Sequence, residues 1–284
     1  MTKHNIKKIT ICGFGLIGGC IARDLMSGRY SYEIYAFDRK AVLERLKKDK
    51  TFKANIKVEA NFNQAIEKSD LIILAATHPG NESMLKRIAK SSTLKDCLIL
   101  DTGAVKSPIS KLSRTLKWTN GNQFLATHPM AGREKSGFKN SDTKLFKNHA
   151  WYLADEPKLT YTNQMKLNFL IKKLNALPVY VNPGLHDELV SEISHLPQLI
   201  STILGAQINP DLIELAGPGL RSMLRLSGSP YSVWGEIISE NKTEIIAALQ
   251  LYADNLNKVI EHIKKDQSLK AIFEDASRSY KCLS

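Results

Sequence analysis

Up to about residue 182 the chain alternates short apolar runs with stretches whose apolar residues recur every three or four positions. The runs KITIC (8–12), EIYAF (33–37), LIILAA (71–76), CLILD (97–101), FLAT (124–127), WYLA (151–154) and PVYV (178–181) predict strands. Between them LIGGCIARDLM, AVLERLKKDK, NESMLKRIAK, PISKLSRTLK and NQMKLNFLIKKLN predict amphipathic helices. Near-continuous apolar strands separated by helices predict an α/β domain with a doubly wound, mainly parallel sheet covered on both faces. Beyond Pro183 no strand pattern follows. GLHDELVSEISHLPQLISTILGAQ places Leu189, Ile193, Leu196, Leu199, Ile200 and Ile203 at helical spacing, interrupted by Pro197. TEIIAALQLYADNLNKVIEHIKK puts Ile245, Ile246, Leu249, Tyr252, Leu256, Val259, Ile260 and Ile263 on one broad face. The pattern therefore divides the chain into a domain at 1–182 and an all-helical one at 183–284. Helices with such wide apolar faces predict burial across a homodimer interface.

The first strand runs directly into Gly13-x-Gly15-x-x-Gly18, and a helix follows at once. In that setting Gly13 makes the tight turn, Gly15 admits a pyrophosphate to the backbone, and Gly18 lets helix and strand pack closely. The helix N-terminus offers unpaired N–H groups to the phosphates. Phe14, Leu16 and Ile17 lie between the glycines and share this cofactor-binding turn. Asp38 ends the next strand, where an acid bonds both ribose hydroxyls of NAD and repels a 2′-phosphate. Arg39 beside it leaves NADP possible. This is a Rossmann-type, dinucleotide-binding arrangement. In doubly wound sheets ligands sit at the C-terminal strand ends, which places Thr77 and Asp101 on the cofactor side. For Thr77 a helix cap is the competing reading, and for Asp101 it is a carboxylate satisfying loop N–H groups.

Composition changes the picture little. The chain has 284 residues, 43% hydrophobic and 24% charged, as in a globular protein with ample core. No apolar run approaches the ~20 residues of a membrane span, and the first strand begins too early for a signal peptide. The four cysteines show no metal-ligand spacing, so no metal is expected, and buried free thiols suit the cytoplasm. The net charge of +12 is spread along the whole chain without a basic stripe or aromatic RNA-binding motif. Neither a nucleic acid nor a membrane is expected as a partner.

THPMAGREKSG (127–137) is polar and turn-rich, yet opens on a histidine just after an apolar strand pattern. With GFGLIGG, DTGAVK, HDELVSEISHLP and GPGLRSMLRLSGSPYSVW, it stands in the order and spacing of the prephenate/arogenate dehydrogenases of tyrosine biosynthesis, which the chain resembles over essentially its whole length. The resemblance implies oxidative decarboxylation of prephenate to 4-hydroxyphenylpyruvate with NAD, with arogenate as the alternative substrate. It assigns His128 as the catalytic group that bonds the C4 hydroxyl and assists its deprotonation. It assigns Arg225 to a substrate carboxylate, a task suited to a planar guanidinium. Glu134, Ser194, His195, Trp234 and Gln198 are placed at the substrate by the same resemblance, and His186 and Asp187 belong to the same second-domain motif.

Two positions depart from the family's pattern. Ala104 replaces a serine that bonds the catalytic histidine and the substrate hydroxyl; Thr102, Ser107 or a water is then the candidate substitute. Gln198 replaces a histidine and cannot carry charge next to a carboxylate. These departures support a competing reading as a nucleotide-binding sensor without turnover. Phe138, Lys139 and Asn140, in place of an acid aimed at an amine, favour the keto acid over arogenate.

Overall fold

The computed structural model describes residues 6–133 and 135–282. The first domain alternates strands β1 (Lys8–Cys12), β2 (Glu33–Phe37), β3 (Ile56–Val58), β4 (Leu71–Leu74), β5 (Leu98–Asp101) and β6 (Gln123–Leu125) with five helices. These are α1 (Leu16–Met26), α2 (Lys40–Lys48), α3 (Phe62–Ile66), α4 (His78–Ile88) and α5 (Ser107–Thr115). The six strands form one all-parallel sheet in the order β3-β2-β1-β4-β5-β6. Every residue of β4 and β5 is buried, as expected of central parallel strands covered by helices on both faces. Fully buried Ile9, Ile11, Ile34, Ile73, Leu98 and Leu100 anchor this core, and each such side chain contributes about 1.5–3 kcal/mol. The order turns back between β1 and β4, so a crevice opens above their C-terminal ends.

A second, three-stranded sheet joins β7 (Thr127–Pro129), β8 (Ala150–Ala154) and β9 (Leu177–Val181), with α6 (Tyr161–Leu174) between the last two. The expected single strand FLAT is thus two strands in two sheets. Ala126 is the break point. The Thr127 amide donates to Asp101 Oδ1 at 3.0 Å, and the Thr127 hydroxyl donates to the Asp101 carbonyl. These bonds tie the start of β7 to the end of β5, and from there the chain runs antiparallel to β8, with His128 opposite Tyr152.

From Pro183 onward the described residues contain no strand. Helix α7 (Pro183–Val190) continues through a π-helical turn at Ser191–His195 into α8 (Leu196–Gln207). Pro197 does not break this run, contrary to the sequence pattern. Its missing N–H is accommodated just after a widened turn in which the Leu196 amide reaches back five residues to the Ser191 carbonyl. α9 (Pro218–Leu224), a tight turn at Arg225–Gly228, α10 (Tyr231–Glu240), α11 (Lys242–Lys264) and α12 (Lys270–Lys281) complete the chain. Ile246, Leu251, Leu256, Ile260 and Ile263 of α11 and Phe273 of α12 remain exposed, so much of the apolar face read from the sequence is not covered within one chain.

The segment after β7 folds back onto α1. Phe138 is buried against Phe14 and Phe52 in edge-to-face contacts, with centroids 6.1 and 5.9 Å apart. A Cβ on Gly19 would lie 3.0 Å from Phe138 and Ser141, so the second glycine of the Gly18-Gly19 pair makes room for this segment. Asp24, further along α1, is nearly buried. Its Oδ1 accepts only a long 3.4 Å bond from the Lys144 amide, and Oδ2 has no partner. Burial above all, with nearby Asp142 adding to it, lifts its carboxyl from 3.8 to about 6 against the Lys144 hydrogen bond and Lys173. The folded state therefore favours the protonated acid, and this stabilisation is complete below about pH 3.8 and lost as pH rises through about 6. Asp24→Asn should raise the thermal midpoint by a few degrees at neutral pH, the scale of roughly 1–3 kcal/mol. The gain should vanish at pH 4, and melts at the two pH values provide the check.

Candidate active site

The crevice above β1 and β4 is a cleft of about 730 Å³. Gly13, Gly15, Asp38, Arg39 and Thr77 line it from the sheet domain, and Glu236, Ile237 and Glu240 of α10 face them from the helical domain. The glycine turn is shaped for a dinucleotide. Gly13 has φ +96°, and a Cβ there would lie 2.4 Å from the Ala75–Ala76 backbone. A Cβ on Gly18 would lie 2.1 Å from the Gly13 carbonyl oxygen. At Gly15, by contrast, nothing lies within 4 Å, so space is left above the N-terminus of α1. Asp38 Oδ2 accepts the Phe14 amide at 2.6 Å and Oδ1 the Arg39 amide at 2.6 Å, which fixes the carboxylate at the cleft. The residues present fit NAD. Leu16 and Ile17 are half-buried against the core, and the Phe14 ring lies wholly inside it, so Phe14 can offer a ligand only its backbone.

Thr77 is at the cleft wall as expected and is the residue preceding α4, but its hydroxyl caps nothing. The next residue carries a link between the domains: the His78 amide donates to Glu236 Oε2 at 3.0 Å, and His78 Nδ1 lies 3.4 Å from Glu240 Oε1. Asp101 does not reach the cleft. Its side chain is fully buried, and its carboxylate accepts from the Gly103 amide at 3.0 Å, the Thr127 amide and the buried Lys106 ammonium. The expectation of a cofactor contact is corrected: Asp101 shapes the loop after β5 and steers β7.

His128, at the centre of β7, belongs to a polar cluster that adjoins the cleft through residues 101–107. His128 Nδ1 and His186 Nε2 are 3.1 Å apart, and His186 Nδ1 lies 2.8 Å from Asp187 Oδ1. Asp187 also accepts the Lys106 and Ser107 amides, each at 2.7 Å, and so caps α5 from the other domain. Burial works to raise the Asp187 carboxyl, but the bonds from His186, Lys106 and Ser107 outweigh it and hold it below the usual carboxylate range. Burial first, then the neighbouring His186, Lys106 and His195, keep His128 well below its ordinary pKa, so the imidazole is neutral at physiological pH. Lys106 is itself pushed down by burial against the pull of Asp101.

Neither hydroxyl proposed to replace the serine missing at Ala104 does so. Thr102 Oγ1 donates to the Leu74 carbonyl at 3.4 Å and Ser107 Oγ to the Pro183 carbonyl at 3.3 Å. His186 is the side chain in contact with the His128 ring instead.

Of the expected substrate-binding residues, the structure gathers some and reassigns others. His195 is buried on the π-helical turn with the Trp234 ring edge-on at 5.8 Å. Asn241 Nδ2 donates to the Asp187 carbonyl at 2.8 Å and lies 3.2 Å from His195 Nδ1. His195 Nδ1 must therefore accept, which puts its proton on Nε2. Burial lowers its pKa to about 4, so it acts as a neutral N–H donor. Ser194 is half-buried on the same turn. Gln198 is buried and its Nε2 donates to the Leu226 carbonyl at 2.8 Å and to Thr202 Oγ1 at 3.2 Å. Through its nitrogen Gln198 braces the turn that begins at Arg225. Ser201 assists by donating to the Met223 carbonyl at 2.7 Å. Arg225 is exposed at the head of that turn. Glu134 lies outside the described residues. Phe138 is core, and Asn140 bonds the Ser136 carbonyl, so neither supports the choice of keto acid drawn from the sequence.

The family model for the nucleotide-binding domain of prephenate dehydrogenase matches residues 21–181, and that for its dimerization domain matches residues 182–275. The chain belongs to the prephenate dehydrogenase family. It is 27% identical to a prephenate dehydrogenase of Lactococcus lactis subsp. cremoris over 96% of this chain and 76% of that one. A cyclohexadienyl dehydrogenase of Zymomonas mobilis is 24% identical, over 92% of this chain and 94% of the relative. Among solved structures, prephenate dehydrogenase from A. aeolicus, in complex with hydroxyphenyl propionate and NAD+, superposes with a TM-score of 0.85 at 22% identity, covering 99% of both chains. Synechocystis arogenate dehydrogenase follows at 0.79 and 21%, covering 98% of this chain and 100% of that one. These likenesses establish the fold of the prephenate dehydrogenases across both domains. The glycine turn at 13–18 precedes the matched stretch, so its assignment rests on its own geometry.

Proposed function

We propose that this protein is an NAD-dependent prephenate dehydrogenase of tyrosine biosynthesis, working as a homodimer in the cytoplasm. One observation carries the reading: the loop at 101–107 forms a wall of the dinucleotide cleft with Gly103, Ala104 and Val105, and through Lys106 and Ser107 holds the cluster containing a neutral His128. NAD held in this cleft would therefore share a wall with the base. Bound NAD supplies the hydride acceptor. His128 takes the C4 hydroxyl proton as the C4–H bond breaks, and the ring carboxylate leaves as CO2 with aromatisation. Arg225 binds a substrate carboxylate, and Ser194 and Trp234 contact the rest of the substrate. His195 offers Nε2–H to an oxygen acceptor, which suits a carboxylate or keto group and gives nothing to an ammonium. That chemistry, and the likeness to the prephenate dehydrogenase of Lactococcus lactis, favour prephenate over arogenate.

The helical domain, 183–284, supplies the dimer contact through the exposed apolar residues of α11 and α12. Purified protein with prephenate or arogenate, and NAD or NADP, should form reduced cofactor fastest with prephenate and NAD. No reduced cofactor with any pairing would reject the assignment. Arg225→Ala should raise KM for prephenate about 10–100-fold, the worth of a charge-assisted hydrogen bond, with kcat within a few-fold. An unchanged KM would remove Arg225 from the carboxylate role.

A further inference from the structure

Three side chains stand in line from β7 to α7: His128, His186 and Asp187, joined by contacts of 3.1 and 2.8 Å. The acceptor at the end of the line sets the protons along it. Asp187 is held as a carboxylate by two backbone amides and can only accept, so His186 carries its proton on Nδ1. His186 Nε2 is then a bare acceptor, and His128 must donate to it from Nδ1. His128 Nε2 is left with a free lone pair. The order of groups resembles that of a hydrolase triad, with a second imidazole between the base and its carboxylate.

We infer that His186, backed by Asp187, is a positioning residue that locks His128 with Nε2 as the base and gives the abstracted proton a second seat. The inference rests on the dehydrogenase reading of the site. In the step it serves, the substrate's C4–H electron pair leaves for NAD and the hydroxyl proton moves to His128 Nε2, while the His128 Nδ1 proton moves to His186 Nε2. The positive charge then rests on His186 against the Asp187 carboxylate, and His128 stays neutral. When the ring C–CO2 bond breaks, its electron pair flows through the ring to the oxygen, which takes the proton back from Nε2 as His186 returns its own to Nδ1. Prephenate and NAD+ become 4-hydroxyphenylpyruvate, CO2 and NADH with no net proton released. A store that lends a proton and recovers it is what that balance calls for.

The surroundings suit a transient charge on His186 and oppose one on His128. His186 is buried, with the Tyr152 ring edge-on at 5.1 Å, and Asp187 is the carboxylate in contact with it. Among the described residues, Lys106 from the loop before α5 is the other charged group facing the pair, and His195 on the π-helical turn faces it as a neutral imidazole; a cation on His128 would be repelled by Lys106.

The test uses His186→Gln, whose amide oxygen can still accept from His128 Nδ1 but cannot take up a proton. In the wild-type protein, 15N chemical shifts should show His186 protonated at Nδ1 and His128 at Nδ1, before any substrate is added. Steady-state kinetics should show kcat for H186Q lowered about 10–100-fold, within the range of a general acid–base contribution, with KM for prephenate and NAD within about three-fold. The acid limb of its kcat profile should also shift, because the base would titrate without its partner. Equal melting temperature and NAD affinity would establish that the variant is folded. A wild-type kcat and pH profile in H186Q, or a His128 proton on Nε2 by NMR, would overturn the inference. Loss of all turnover in the wild-type enzyme would instead reject the functional reading on which it rests.

Discussion

Replacing His128 with alanine should lower kcat by about 10²–10⁴-fold, while NAD affinity and the KM for prephenate stay within a few-fold. The asymmetry follows from where the imidazole sits. His128 belongs to β7 and to the cluster with His186 and Asp187, whereas the dinucleotide cleft is built from the glycine turn, Asp38 and the β4–α4 loop. Removing the ring deletes the group that receives the hydroxyl proton and touches nothing that holds the cofactor. The fold should tolerate the change, since β7 is held by Thr127 and Asp101 and by its register with β8. Stopped-flow measurement of the hydride step, alongside NAD titration by fluorescence, separates the two effects. A variant that lost NAD affinity in proportion to kcat would move His128 from proton transfer to cofactor binding.

Gly18→Ala should show the opposite pattern. The new Cβ would meet the Gly13 carbonyl oxygen at 2.1 Å and Ile11 Cγ2 at 3.2 Å. The first of these is backbone, and it cannot swing aside as a flexible side chain would. Relief requires α1 to move off β1 or the turn at Gly13 to open, and that turn is itself closed against Ala75. Either movement displaces the amides at the start of α1 that face the cofactor phosphates. We expect NAD affinity to fall at least 100-fold and stability to drop by roughly 1–3 kcal/mol, the scale of overpacking in a filled core. Calorimetric NAD titration and a thermal melt provide the check. Unchanged NAD affinity would mean that the space above Gly15 is not the pyrophosphate seat.

The parts of this molecule legible from sequence were those governed by neighbours along the chain. The β1–turn–α1 unit is local: an apolar run, three glycines and an amphipathic helix specify it, and it is found where the spacing placed it. The helical second domain was legible for the same reason, and so was the uncovered apolar face of α11. What escaped was set by long-range hydrogen bonds. Nothing near FLAT indicates that Thr127 is tied to a carboxylate 26 residues earlier, so one apolar run read as one strand. Asp101 read as a ligand contact because it ends a strand, although its partners Lys106 and Thr127 enclose it completely. β3 was too short, at three residues, to show a period. Gln198 read as a weakened substrate ligand, and the sequence did not show that its amide nitrogen braces the turn behind Arg225. The loss of serine at Ala104 looked like a loss of catalytic order. The compensating side chain, His186, is 58 residues from His128 and was visible only as part of a motif of mixed roles.

Asp187 has a consequence beyond the base it steadies. The same carboxylate binds the amides that open α5 in one domain and the imidazole of His186 in the other, while its own carbonyl is held by Asn241. Domain separation and disarming of the base are therefore a single event. If the two halves swing apart to admit or release a dinucleotide, the amides of Lys106 and Ser107 leave the carboxylate, and His186, carried with Asp187 on α7, leaves His128 on β7. The carboxylate is in this sense an interlock: His128 keeps its partner only while the two domains are held together.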